Sequence, residues 1–478
     1  MAGATDTRAR TLTIRVFRAG DRRQVSKPPS TKQATLWVTG GHVLTQVIRL
    51  ASNLIFTRML APEMFGIIAA ANLLIIGLHQ FSDVGIMQSV VRAKDAEDRS
   101  FLNTIWAVQF ARGVLISVIL ALLGLFFFFY GHNFGDTVYG SPLLAIVILL
   151  LTVHPLINGL LSPGYYVQQR NMNYRVTVLL EVGSQVAGFL LGLIYVYTIK
   201  ADIYALVIMQ ICAISCRVIG SHLFFNYRCA IHVNFEHVKD IMSFGSWVLL
   251  SSLIGFLFAS GDRILIGANS SITLFGIFSI ASFIAVAIKE VVGKLIGSVF
   301  LSAIGRVARE DEESLPAYYY SLRLKADSVL FFLAGLVFMS GQEVISFLYD
   351  DRYAQAGRML QILSFSIIGS GLLLCSQLLM AKGKSKLASN MILIQTIGFY
   401  IVVSIAVFGF DIWVGIWAIS LFSIAQFLLS TIYEYRELGR MPLKRALCIP
   451  FLFAGGVVGY VISLALQLMN SAITSFMS

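Results

Sequence analysis

Charge is scarce in this sequence. Asp, Glu, Lys and Arg make up 13% of its 478 residues, about half the share of an ordinary globular protein. A soluble domain with so little charge would have an oily surface. That excludes a soluble enzyme, and also one held by a single anchor, because too little polar sequence is left to build it. Cysteine is scarce too. The five cysteines are Cys212, Cys216, Cys229, Cys375 and Cys448, and none suggests a disulfide framework. Cys212 and Cys216 share a helix face among Ile, Ala and Ser and read as small packed residues. No polar loop can hold a catalytic domain; the longest, around 303–325, carries Arg309-Glu310-Asp311-Glu312-Glu313. No phosphate-cradling loop is present, since Lys382-Gly383-Lys384-Ser385 lacks the upstream glycine, and this argues against a built-in ATP motor. No His, Cys, Asp or Glu cluster has metal-ligand spacing, and no Ser-His-Asp set or carboxylate pair can be argued. No metal, cofactor or enzyme activity is therefore expected.

What is abundant is apolar sequence, at 57% of residues, with a mean hydropathy of +0.79. It comes in blocks long enough to cross a bilayer as helices. Thirteen spans are predicted, at about 34–60, 64–90, 101–130, 142–163, 176–199, 203–225, 241–261, 272–302, 326–348, 358–381, 387–409, 412–433 and 447–470. The fold class is thus an all-α polytopic membrane protein of about 13 (12–14) transmembrane helices. The first span is the least apolar, with Gly40, Gly41, His42, Gln46, Arg49 and Asn53.

Lys and Arg crowd one set of loops: the tail from Arg8 to Lys32, then alternate connections such as Arg92–Arg99, Lys382–Lys386 and Arg436–Arg445. The opposite loops are assigned only Lys200, Arg263 and Arg352. The bias places the N-terminus in the cytoplasm. It also accounts for most of the formal net charge of +11 without a nucleic-acid partner. An odd number of spans then puts the C-terminus outside, in the periplasm. Residues 1–33 lack the apolar core of a secretory signal and read as a disordered basic tail near anionic lipid.

Met64-Phe65-Gly66-Ile67 opens the second span, and Leu274-Phe275-Gly276-Ile277 opens the eighth. Six spans separate them, so the two halves share one orientation. Parallel repeats of this kind occur in transporters.

Charged side chains inside spans are costly and usually face a polar interior. Arg49 and Arg112 fall deepest. Arg217 lies in the inner half of the sixth span, and Lys289, Glu290 and Lys294 lie in the eighth. Glu290 and Lys294 form a favourable i, i+4 pair. Asp83 and Glu181 are near inner ends, and His79, one turn before Asp83, could share its face in a proton relay. Arg49 and Arg112 have two readings: each is buried against Asp83 or a carbonyl, or they line a wet, positive cavity. In the second case their guanidinium forks suit phosphate oxygens. Gln46, Asn53, Asn72, Gln80 and Gln109 are polar residues in spans, serving either as sugar contacts or as glue between helices. His154 precedes Pro155, where a kink with freed carbonyls is expected.

The run from Asn53 to Gly66, with Arg58, Leu60-Ala61-Pro62 and Phe65-Gly66, resembles the first turn of bacterial polysaccharide flippases of the Wzx-like kind. Phe81-Ser82-Asp83-Val84-Gly85, Asn103-Thr104-Ile105-Trp106, Gln169-Arg170-Asn171-Met172-Asn173-Tyr174-Arg175 and Asp262-Arg263-Ile264-Leu265-Ile266-Gly267 fit the same family. The resemblance covers about residues 34–381. It implies the superfamily of multidrug, oligosaccharidyl-lipid and polysaccharide exporters, with two pseudo-symmetric six-helix lobes around a central cavity. The lobes would be 34–225 and 241–433, with 447–470 an additional helix. Many members have fourteen spans against the thirteen found here. The resemblance implies a lipid-linked oligosaccharide built on a polyprenyl diphosphate as substrate. It further implies the bacterial inner membrane as location, membrane lipids as surroundings, polysaccharide polymerase and export proteins as partners, and action as a monomer. On this reading Arg49, Arg112, Lys289 and Arg217 bind the diphosphate, and Asp83, His79 and Glu290 are the coupling or ion-pair candidates. Two rivals stay open: a cation-coupled small-molecule exporter of the same fold, and a membrane component of a polysaccharide polymerase or assembly complex.

Overall fold

A computed structural model describes residues 31–93, 96–225, 227, 230, 233–439 and 447–477. The basic tail (residues 1–30) and Cys229 lie outside the described residues. The helices are α1 (Thr31–Met59), α2 (Pro62–Phe81), α3 (Ile86–Arg92), α4 (Arg99–Tyr130), α5 (Pro142–Leu151), α6 (Val153–Gly159), α7 (Gly164–Arg170), α8 (Tyr174–Thr198) and α9 (Tyr204–Phe224). They continue with α10 (Phe235–Ala268), α11 (Ile272–Glu310), α12 (Leu315–Leu348), α13 (Ala354–Leu363), α14 (Leu372–Ala381), α15 (Ser385–Gly409), α16 (Ile412–Leu438) and α17 (Ile449–Met477). Among the described residues the only extended pairing is an isolated bridge, Thr137 with Ser271. Twelve helical segments among the described residues are long and apolar enough to cross a membrane, so this is a multi-pass membrane protein. They correspond to the second through thirteenth predicted spans. α1 is long enough, at 29 residues or about 44 Å, but it is the most polar.

The second span is interrupted between α2 and α3 at residues 82–85, and the fourth and tenth spans are broken as well. Pro155 cannot bond to the carbonyl one turn back and clashes with it. The fourth span accordingly divides into α5 and α6 around Thr152, whose carbonyl accepts a hydrogen bond from Ser117 Oγ at 2.7 Å. Its counterpart in the second half divides into α13, a 3-10 stretch over Ser364–Gly371, and α14. Corresponding breaks in two halves are a feature of carriers whose site lies between repeats.

Helices α1 to α9 pack largely among themselves, as do α10 to α17, and α2 is the main bridge, lying against α11 and α10. The bridge is made by the repeated motif itself. A Cβ at Gly66 would run into the Ile272 carbonyl and the Gly276 backbone, and one at Gly276 into the Pro62 carbonyl. Thr273 Oγ1 donates to Glu63 Oε1 at 2.7 Å across a separation of 210 residues, which is the repeat offset. The two copies thus meet each other where the helices cross, as a pseudo-two-fold axis requires.

The last helix is fastened by the same device. Gly455 and Gly459 form a small-xxx-small face on α17. A Cβ at either would meet the Phe332 or Leu336 carbonyl of α12, and one at Gly335 the Leu452 carbonyl. Gly459→Leu should prise α17 from α12 and cost about 1–3 kcal/mol by overpacking. A lower thermal midpoint in detergent would show it; an unchanged midpoint would mean that α17 is not held by this face.

Candidate functional site

A cavity of about 620 Å³ lies between the halves, bordered by α1, α2, α8, α9, α10 and α11. α1 contributes a stripe at helical spacing: Gln46, Arg49, Asn53 and Phe56. This stripe is why the first span is the least apolar. Its polar residues turn away from lipid, into the space between the halves. α2 adds Asn72, α8 adds Gln185, α9 adds Gln210, and α11 adds Ser279, Ser282, Phe283 and Glu290. From α10 come Ser260 and Arg263.

The Arg49 guanidinium lies over the Phe283 ring, 5.4 Å from its centroid, a cation–π contact between the halves. Arg263 faces the same cavity from the second half. Its Nε is 3.9 Å from Asp262 Oδ1 and has no hydrogen-bond partner among the described residues. Arg49, Arg263 and Glu290 are the charged residues that border the cavity, and Asp262 pairs with Arg263 from outside that border. Arg263 corrects the sequence assignment. The sequence puts it in an outward-facing loop, but α10 runs on to Ala268 and keeps Arg263 inside a helix.

The other candidates are engaged elsewhere. Arg112 donates from Nε to Ser82 Oγ at 3.0 Å and from Nη2 to the His79 carbonyl. It thereby caps the C-terminal end of α2, where unpaired carbonyls collect. Of its two readings, the contact with a carbonyl is the one present, and Arg112 is not among the residues bordering the cavity. Arg217 donates to Asn158 Oδ1 at 2.8 Å, and Lys289 to Ser366 Oγ at 3.3 Å in the broken tenth span. Asp83 accepts from the Gly85 amide at 3.0 Å and from Ser252 Oγ at 3.1 Å. It closes the turn where Gly85 has φ of 65° and ties that turn to α10. The His79 ring stands edge-on to His154, with centroids 6.5 Å apart. Gln109 is glue between helices, its Nε2 donating to the carbonyls of Asn158, Gly159 and Leu161 at the end of α6.

Glu290 does not pair with Lys294 among the described residues. Its Oε2 accepts from Gln46 Nε2 at 2.5 Å and lies 3.7 Å from His42 Nε2. At the other end of the cavity, Arg352 Nη2 donates to the Thr57 carbonyl at 3.0 Å and the Arg58 carbonyl at 3.4 Å. Asp350 Oδ2 accepts from the same nitrogen at 2.5 Å. Tyr349 Oη donates to Asn53 Oδ1 at 3.4 Å, so this turn touches the cavity stripe of α1 directly. Arg352 holds the Asp350 carboxyl below the usual carboxylate range. The Asp350–Arg352 ion pair is therefore present at neutral pH and is lost only as pH falls through that lowered value.

Two helical halves joined at a repeat and enclosing a polar cavity have the architecture of a membrane transporter. The chain belongs to the polysaccharide biosynthesis protein family, whose family model matches residues 55–358. The resemblance drawn from the sequence is thus borne out. The teichuronic acid biosynthesis protein TuaB of Bacillus subtilis is 24% identical over 399 residues, covering 80% of this chain and 79% of that one. The lipopolysaccharide biosynthesis protein WzxC of Escherichia coli is 20% identical over 335 residues, covering 68% and 65%. In fold, the chain is similar to the lipid II flippase MurJ in an inward closed conformation, with a TM-score of 0.66 at 13% identity over 93% of this chain and 99% of that one. It is also similar to an inward-facing multidrug resistance transporter of the MATE family, with a TM-score of 0.61 at 15% identity over 83% and 96%.

Proposed function

We propose that this protein moves a polyprenyl-diphosphate-linked oligosaccharide across the bacterial inner membrane during envelope or extracellular polysaccharide synthesis. The observation that carries the reading is the pair Arg49 and Arg263, one from each half, facing a single polar cavity. Guanidinium forks in a partly dry site hold phosphate oxygens without ever deprotonating. Gln46, Asn53, Asn72, Gln185 and Gln210 offer amides to sugar hydroxyls. The relatives, which act in teichuronic acid and lipopolysaccharide biosynthesis by name, and the likeness in fold to a lipid flippase support the same substrate class. On this reading the protein is a carrier and not an enzyme.

The halves are residues 34–225 and 241–433, with 447–470 an appended helix, and they rock about the α2–α11 crossing to expose the cavity to alternate sides. The N-terminus lies in the cytoplasm and the C-terminus in the periplasm. Arg49 keeps the diphosphate role assigned from the sequence and Arg263 joins it, while Arg112, Arg217 and Lys289 brace helices. A cation-coupled exporter has one observation in its favour, the carboxylate of Glu290 in the cavity. The two arginines disfavour a cationic cargo.

The test is sealed vesicles holding the protein and a labelled polyprenyl diphosphate oligosaccharide, with an enzyme on one side only to report what has crossed. Arg49-dependent crossing supports the reading. Crossing of cationic dyes in its place supports the exporter.

The Arg352 clamp is expected to act as a latch on the C-terminal end of α1. Arg352→Ala should raise the reaction of a Ser279→Cys thiol with a membrane-impermeant reagent added outside by about fivefold, since the lost bonds are exposed and individually weak. No increase over the same protein with Arg352 intact would remove the latch from the mechanism.

A further inference from the structure

We propose that Glu290 is the resident counter-anion of the cavity, holding α1 to α11 while the arginines are without substrate and yielding when a diphosphate takes them over. The inference rests on the diphosphate reading above and assigns Glu290 as a positioning residue for it. Four observations carry it.

Glu290 is the only carboxylate among the described residues that border the cavity shared by Arg49 and Arg263. Its hydrogen bond to Gln46, at 2.5 Å, joins side chains 244 residues apart and therefore joins the two halves. α1 leans mainly on α8, and its contact with α11 is slight, so this bond, with the Arg49–Phe283 contact, is a large part of what holds those two helices together. Finally, the Glu290 side chain keeps 45% of its surface open. It is a wet, movable anion and not half of a sealed ion pair.

The physical consequence is competition. A diphosphate brings at least two negative charges into a cavity already holding one. Like charges at such range repel appreciably where water is partly excluded. The ligand therefore favours whichever arrangement puts Glu290 further away, and a ligand shifts a conformational equilibrium by its differential affinity for the two states. Moving Glu290 away breaks its bond to Gln46 and frees α1 from α11. Substrate binding and the loosening of the halves become one event. An empty carrier, with Glu290 still bonded to Gln46, stays tied.

The experiment uses the full-length protein in lipid nanodiscs, with farnesyl diphosphate as binding probe and farnesol as its uncharged control. Glu290→Gln removes the charge, while a glutamine there can still bond to Gln46. It should bind farnesyl diphosphate about tenfold more tightly, bind farnesol as the wild type does, and translocate the labelled oligosaccharide lipid several-fold more slowly. Glu290→Asp restores the charge and should return the affinity toward wild type. If the wild type shows no Arg49-dependent binding of farnesyl diphosphate, the diphosphate reading itself fails. If the wild type binds it through Arg49 but Glu290→Gln binds it equally or more weakly, the counter-anion role is overturned. Equal tightening toward farnesol would also overturn it, because the effect would then be a loosened cavity and not a removed charge.

Discussion

Arg49→Ala combined with Arg263→Ala should lower translocation by at least about 100-fold while the protein still folds in the membrane. A hydrogen bond to a charged group contributes roughly 1.5–3 kcal/mol, and 1.4 kcal/mol is a factor of ten. Each guanidinium is thus worth about ten- to a hundredfold. Arg49 also gives up its cation–π contact with Phe283, worth about 0.5–1 kcal/mol more. Both side chains face the cavity, so their removal leaves helix packing largely intact. Arg49→Lys keeps the charge but not the fork and should recover only part of the loss. Arg112→Ala serves as the contrast. It uncaps α2, so its effect should show in thermal stability as much as in transport. The vesicle assay and a melting curve together separate the two, and full transport by the double variant would end the assignment.

The largest effect on stability should come from Arg323. It is fully buried, as are Asp327 and Glu434. Nε donates to Asp327 Oδ2 at 3.2 Å, Nη1 lies 3.5 Å from Glu434 Oε1, and the Gly371 carbonyl accepts from Nη1. Tyr319 Oη adds a bond to Glu434 at 2.9 Å. Breaking a buried ion network by removing one partner costs about 3–5 kcal/mol, because the remaining charges stay buried. Arg323→Met should therefore leave little folded protein in the membrane. The triple change Arg323→Met, Asp327→Asn and Glu434→Gln removes every charge at once and should regain most of the stability. Thermal midpoints of the two proteins decide it; an Arg323→Met variant as stable as wild type would mean that the network contributes nothing net. Because Arg323 also donates to the Gly371 carbonyl, the network ties α12 and α16 to the broken tenth span.

Arg323 shows where sequence reading stops. The sequence predicts a loop at about 303–325, which contains it. In the structure α11 runs to Glu310 and α12 starts at Leu315, so the connection is only a few residues long. Hydropathy reports where lipid ends, whereas a helix ends where its backbone bonds do. Long helices that leave the bilayer therefore carry apparent loop residues into packed positions. Arg263 differs from the sequence reading for another reason: the membrane-crossing part of α10 is Val248–Ala268, later in the chain than the predicted 241–261. The i, i+4 spacing of Arg323 and Asp327 was a visible signal, yet Glu434 joins them from 107 residues beyond Asp327 in the chain, and no local pattern announces it. Gln109 and Arg112 looked like cavity residues because polarity in a span has two causes, a wet cavity and an uncapped helix end. Only the neighbouring helix tells them apart.

The sequence by itself determined the membrane class, the approximate number of spans, the repeated Phe-Gly motif and the family. Those follow from composition, the length of apolar runs and motif order, all of which are properties of the chain taken segment by segment. It also marked Arg49, through the polarity of the span that carries it. Tertiary structure alone decided which charges share a cavity. It placed Arg263 opposite Arg49, turned Arg112 onto the end of α2, and took Glu290 from its helical neighbour Lys294 to Gln46 in the other half. The reason is physical: which way a span's polar face points is set by how helices distant in sequence pack and cross, and that crossing is fixed here by two glycines, Gly66 and Gly276, whose missing side chains let the halves meet.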